Sequence, residues 1–147
     1  MITTRTEPRN ATPGSRKKIL LWAAQIMLAA IFALVAVPKL AGALSAVTMF
    51  GQIGAGQWLR YLVGTAELAG AIGLLVPPLA GLAAAGLAAD MAGASIINAA
   101  VLHSAAVAMT LPLCAAFVLI ALARRKQTRA LATAFMRPGL DLQGGRM

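Results

Sequence analysis

From Ile19 onward the chain alternates long apolar runs with short breaks. The first covers about Ile19 to Leu40, with Trp22 near its start and Pro38 near its end, where a missing backbone hydrogen bond costs least. A glycine-broken segment follows, AGALSAVTMFGQIGAGQ from Ala41 to Gln57, in which Leu44, Val47, Phe50 and Ile53 recur every three residues. That spacing predicts a short helix lying in the membrane interface, ended by Gly54 and Gly56. The second run, about Tyr61 to Val76, stops at Pro77-Pro78, which cannot continue a helix and predicts a tight turn. The third run extends from Leu79 to about Ala100, and the fourth from about Ala105 to Ala123, where Pro112 frees the carbonyl of Ala108.

A crossing needs about 20 apolar residues. The expected fold is therefore an all-α integral membrane protein: a four-transmembrane-helix bundle with spans of about 19–40, 61–76, 79–100 and 105–123, and a short interfacial helix between spans 1 and 2. Trp58 and Tyr61 mark one headgroup level and Trp22 the other. In the third run Gly81, Ala85, Ala89 and Gly93 form a line of small residues, next to a line through Gly86, Asp90, Ala94 and Asn98. These lines are expected to face the bundle, leaving the Leu and Ile side to lipid.

Charge fixes the expected orientation. Of 13 Lys and Arg residues, Arg5, Arg9, Arg16, Lys17 and Lys18 precede the first run, and Arg124, Arg125, Lys126, Arg129, Arg137 and Arg146 follow the last. The formal charge of +9 belongs to these flanks, as expected of cytoplasmic segments under the positive-inside rule. Both termini are thus expected to be cytoplasmic, with residues 1–18 a disordered basic tail, 19–123 the membrane domain and 124–147 a second basic tail. A secretory signal peptide cleaved near Ala41 or Ala43 is the competing reading of the first run. The chain is 60% hydrophobic and 12% charged, against about 25% charged for a soluble domain. Nucleic acid is not an expected partner, because the cations flank apolar runs instead of sharing one folded face.

Within the runs stand Lys39, Arg60, Glu67 and Asp90, with His103 between the third and fourth. An ionisable group in a membrane helix costs about 2.5 to 3.5 kcal/mol at the centre and so faces the bundle interior. Lys39, Glu67, Asp90 and His103 are the candidate polar cluster. In one reading they form a pocket: the carboxyl groups exchange protons or hydrogen-bond a ligand headgroup, Lys39 is their counter-charge and His103 a titratable gate. In the other, Lys39 pairs with Glu67 to hold two spans in register, Asp90 is protonated and bonded to backbone or Asn98, and His103 is interfacial. Arg60 reads as an interfacial anchor. The single cysteine, Cys114, reads as a small apolar core residue, and one thiol cannot run dithiol chemistry. No catalytic constellation and no metal-ligand cluster is written in the sequence.

The residues so placed resemble the DoxX-like family of small four-helix membrane proteins. The matching features are Pro38-Lys39-Leu40, Met49-Phe50-Gly51 with Trp58, the stretch GTAELAGAIGLLVP from Gly64 to Pro77, and Asp90-Met91 with Gly93-Ala94. The family's recurrent charged positions fall on Lys39 and Glu67, while Asp90 departs from a mostly uncharged position. The resemblance implies a membrane component or partner of a redox system without independent catalysis, since members are described as subunits or partners of redox enzymes, including a quinone-reducing thiosulfate oxidoreductase. A quinone between Lys39 and Glu67, a soluble redox protein partner and a bacterial cytoplasmic (inner) membrane location are what it implies here. A small proton-coupled transporter, acting as a homo-oligomer and cycling Glu67 or Asp90, and a purely structural membrane protein are the alternatives from other classes.

Overall fold

The computed structural model describes residues 13–135. Among them the chain is all helix and turn, without a strand, in five helices: α1 Pro13–Ala41, α2 Leu44–Ile53, α3 Gln57–Leu75, α4 Ala80–Ala100 and α5 Val107–Phe135. Three are long and apolar enough to cross a membrane, over Ser15–Ala41, Ala80–Ala100 and Val107–Thr133. The remaining long helix, α3, carries Arg60 and Glu67 within its 19 residues.

The outer two helices are longer than expected. α1 starts at Pro13, so residues 13–18 continue the helix instead of belonging to a disordered tail. Proline suits a first helical turn because its absent N–H would have no partner there, and Arg16, Lys17 and Lys18 are good helix formers. Likewise α5 continues through Arg124 to Phe135, in a stretch rich in Arg, Lys, Gln, Ala and Leu. The rest of the expected tails, residues 1–12 and 136–147, lies outside the described residues. α2 is the short helix expected in the connecting segment, closed by Gly54 in the left-handed conformation at φ 78°.

Successive long helices run antiparallel: α1 packs along α3, α3 along α4 and α4 along α5. All four contribute to one core, with Leu28 and Phe32 from α1, Ala71 and Leu74 from α3, Ala84, Leu87 and Met91 from α4, and Phe117 and Ile120 from α5. Phe32 and Phe117 meet edge to face, centroids 4.9 Å apart, and link the first helix to the last. The outer surface is the reverse of a soluble protein's, with Leu20, Leu34, Ile72, Ile96 and Leu119 all exposed. Burying apolar area has little driving force where the surroundings are lipid, so close approach of small residues carries the association.

Glycines supply that approach. A Cβ on Gly70 would stand 2.6 Å from Leu87, and one on Gly73 2.8 Å from Ala83. The expected small-residue line on α4 packs only at Gly81, which is buried and where a Cβ would collide with Thr128 of α5; Ala85 and Ala89 are exposed, and a Cβ on Gly93 would meet open space. The buried positions of α4 include Ala84, Leu87, Ala88, Met91 and Ser95. The notch that decides this is on α3. Gly70 opens a hollow that Leu87 fills, so a large residue of α4 turns inward where only small ones were expected.

Candidate functional site

The end of the bundle where α1 stops and α3 begins concentrates polar side chains. Lys39 sits in the last turn of α1, and Gly64 brings α3 close beneath it: a Cβ on Gly64 would stand 3.1 Å from Leu40 and 3.2 Å from the Cβ of Lys39. One turn along α3, Glu67 accepts a hydrogen bond and ion pair from the Lys39 ammonium through Oε1. The Glu67 side chain is 1% exposed and that of Lys39 13%. Its second oxygen, Oε2, is buried with no hydrogen-bond partner. The positions Gly64, Glu67, Ala71 and Leu74 are all buried at helical spacing, so the glycine, the acid and the core residues share one face of α3.

Asp90 comes to the same level from α4. Gly70 faces Leu87 and Gly73 faces Ala83, and one more turn on this antiparallel register puts Asp90 across from Glu67. Asp90 also has a buried oxygen, Oδ2, without a partner. Asn98 is no candidate for it, since eight residues of helix separate the two by about 12 Å. Asp90 borders a groove of about 330 Å³ between α3 and α4 whose walls are otherwise Ala, Gly and Leu.

His103 does not join these groups. It lies exposed in the loop between α4 and α5, in the left-handed region at φ 44°. Cys114 is half-buried, its thiol donating to the Ala88 carbonyl at 3.4 Å, which is packing between α5 and α4.

Arg60 has a larger part than that of an interfacial anchor. It is 3% exposed, and its guanidinium donates to the Lys39 carbonyl at the end of α1, where helix geometry leaves carbonyls without partners. Its Nε donates to Gln57 Oε1 at 2.8 Å, Gln57 Nε2 donates to the Val47 carbonyl of α2 at 3.1 Å, and the guanidinium stacks 4.1 Å over the Tyr61 ring. Arg60 thus ties the Lys39 end of α1 to α2 and α3. The signal available in the sequence was its spacing: Arg60, Gly64, Glu67 and Ala71 recur at three or four residues and so occupy the buried face.

A second polar group lies at the opposite end, outside the predicted cluster. Gln25 of α1 is fully buried, and its Oε1 accepts from Arg124 Nη2 at 2.6 Å. Arg124 is 8% exposed, donates to Gln127 at 3.1 Å and lies 5.5 Å from the Trp22 ring. Gln25 Nε2 and Arg124 Nε have no partner. Among the described residues no carboxylate pairs with Arg124, the one ion pair being Lys39 with Glu67. Gln25 was legible as an amide amid the apolar run, but its partner, 99 residues away, was not.

Comparison with known proteins gives one result. No curated protein and no solved structure matches the chain. The pattern of the DoxX-like family matches residues 23–121, which takes in most of α1, all of α2, α3 and α4, and the first half of α5. With that match spanning most of the chain and both Lys39 and Glu67 inside it, the chain belongs to the DoxX-like family of membrane proteins.

Proposed function

We propose that the chain is a four-span protein of the bacterial inner membrane, with residues 19–123 as its membrane domain and both termini cytoplasmic, and that it serves a quinone-linked redox system as a membrane component working with a soluble redox partner. The fourth crossing is α3. Its 19 residues rise about 28 Å, close to the thickness of the hydrocarbon core, and its two charged side chains are turned inward and bonded. The basic residues flanking α1 and following α5 favour the cytoplasm for both ends.

The observation that carries the redox reading is the unfinished Lys39–Glu67 pair. An ammonium has three N–H donors, of which Glu67 Oε1 takes one, and Glu67 Oε2 is a buried acceptor with no donor. A quinone headgroup would match the chemistry of that pair: Lys39 would donate to its carbonyl and Glu67 would accept from its reduced hydroxyl. Bound there it would carry electrons and protons between the membrane pool and the soluble partner. The chain's own residues hold the headgroup and keep a carboxylate within reach of its hydroxyl proton.

The test is gentle extraction of the tagged protein from its native membrane, followed by mass spectrometry of co-purifying proteins and lipids, for wild type and Glu67→Gln. A soluble redox enzyme and quinone should accompany the wild type, and the quinone should fall about tenfold in the variant, the factor for losing one charged hydrogen bond. Recovery of the protein alone would overturn the reading. Proton-linked flux in vesicles that Glu67→Gln abolishes would replace it with the transporter.

A further inference from the structure

The Lys39–Glu67 pair leaves one acid of the bundle unaccounted for. Lys39 neutralises Glu67, and Arg60 is committed to the end of α1 and to Gln57, so no cation among the described residues is bonded to Asp90. Asp90 Oδ2 is buried and without a partner. The Asp90 residue borders the groove between α3 and α4, whose volume of about 330 Å³ is at the low end of the range for small-molecule sites.

The groove has a reason to exist in the sequence. Ala66 and Ala69 on one wall and Gly86 on the other are too small to fill the space that Leu79 and Leu82 frame. A Cβ on Gly86 would meet nothing within 4 Å. Ala66, Ala69, Leu82 and Gly86 are exposed on the outer surface, so the groove opens toward lipid.

An apolar trough with one carboxylate at its edge selects by charge and by hydrogen bonding. A neutral hydrocarbon gains nothing from Asp90, and an anion is repelled. A primary ammonium on an apolar stem supplies the N–H and the positive charge that Asp90 lacks, while its stem occupies the small-residue walls. We infer that the α3–α4 groove is a binding site for a lipophilic primary amine in its protonated form, held by Asp90. Neither Lys39 nor Glu67 lines the groove, although Asp90 stands across from Glu67, and the inference does not rest on quinone binding.

Photolabelling separates this from lipid contact. Wild-type protein in phosphatidylcholine vesicles is labelled with a diazirine-bearing dodecylamine and with the dodecanol carrying the same diazirine, and the adducts are mapped by peptide mass spectrometry. The amine should label the groove residues of α3 and α4 about tenfold more than the alcohol, as expected for one charged hydrogen bond. Asp90→Asn should remove that excess. Gly86→Leu, which adds bulk where space is open, should remove it without unfolding the bundle and so covers the case in which Asp90→Asn fails to fold. Equal labelling by amine and alcohol, or an excess spread over the lipid-exposed helix faces and retained in Gly86→Leu, overturns the proposal.

Discussion

At the Lys39 end of the bundle an ammonium meets a carboxylate; at the Arg124 end a guanidinium meets a carboxamide. Both cations are taken from water, and both hold α1 against a later helix. They differ in how the charge is answered. Lys39 is neutralised inside the fold, so its pairing is complete in charge even though Glu67 Oε2 is left over. Arg124 is answered only by the dipoles of Gln25 and Gln127 and by the face of Trp22, and a carboxamide cannot cancel a charge. The choice of cation fits each task. Arginine keeps its charge, spreads it over a plane and is weakly hydrated, which makes it the cation that burial without an acid penalises least. Lysine is a compact point charge that needs the acid beside it. The Lys39–Glu67 pair is thus closed in charge, so that loss of one partner exposes a bare charge, and the Arg124–Gln25 contact is a hydrogen-bonded clasp whose parts are individually weaker.

The sharpest way to break this contrast is Lys39→Met, which leaves Glu67 buried and unpaired. Removing one partner of a buried pair costs about 3 to 5 kcal/mol, and the double variant Lys39→Met/Glu67→Leu should recover most of it, because two apolar groups leave no charge behind. Reversible unfolding in mixed micelles reads both, and a double variant no better than the single one would show that the pair is not a closed unit. Next in size is Arg60→Met, which leaves the Lys39 carbonyl at the end of α1 without its donor and frees Gln57; a loss of about 1 to 2 kcal/mol is expected in the same assay. Smallest is Gln25→Leu at the opposite end, about 0.5 to 1 kcal/mol, in line with single hydrogen bonds between membrane helices. Should Gln25→Leu rival Lys39→Met, the neutral clasp would be carrying the charge as firmly as an acid does, and the contrast would fall.

Much of this was legible residue by residue. Glu67 stands out as an acid in an apolar run, Lys39 as a cation at a helix end, and helical spacing places Gly64, Glu67 and Ala71 on one buried face. Arg124 was hidden for a physical reason: it begins a run of basic residues, and composition cannot tell which member of such a run turns inward. The helix periodicity of Phe117, Ile120 and Arg124 contained that answer, since all three are buried. Leu87 reads as lipid-facing from α4 alone, because its inward turn depends on the hollow that Gly70 opens on α3.

By itself the sequence determined the helical, apolar character of the chain, the breaks between its long runs, the basic flanks and the presence of charges that lipid would not tolerate. These follow from local chemistry, since each residue's cost in lipid and each glycine or proline break is a property of its own segment. Only the tertiary structure decided which charges meet. Lys39 finds Glu67 and not Asp90, Arg124 finds Gln25, and His103 finds none of them among the described residues. Those pairings depend on how far two helices can approach and in what register, and that is set by notches such as Gly64 and Gly70 acting across helices, which no single segment encodes.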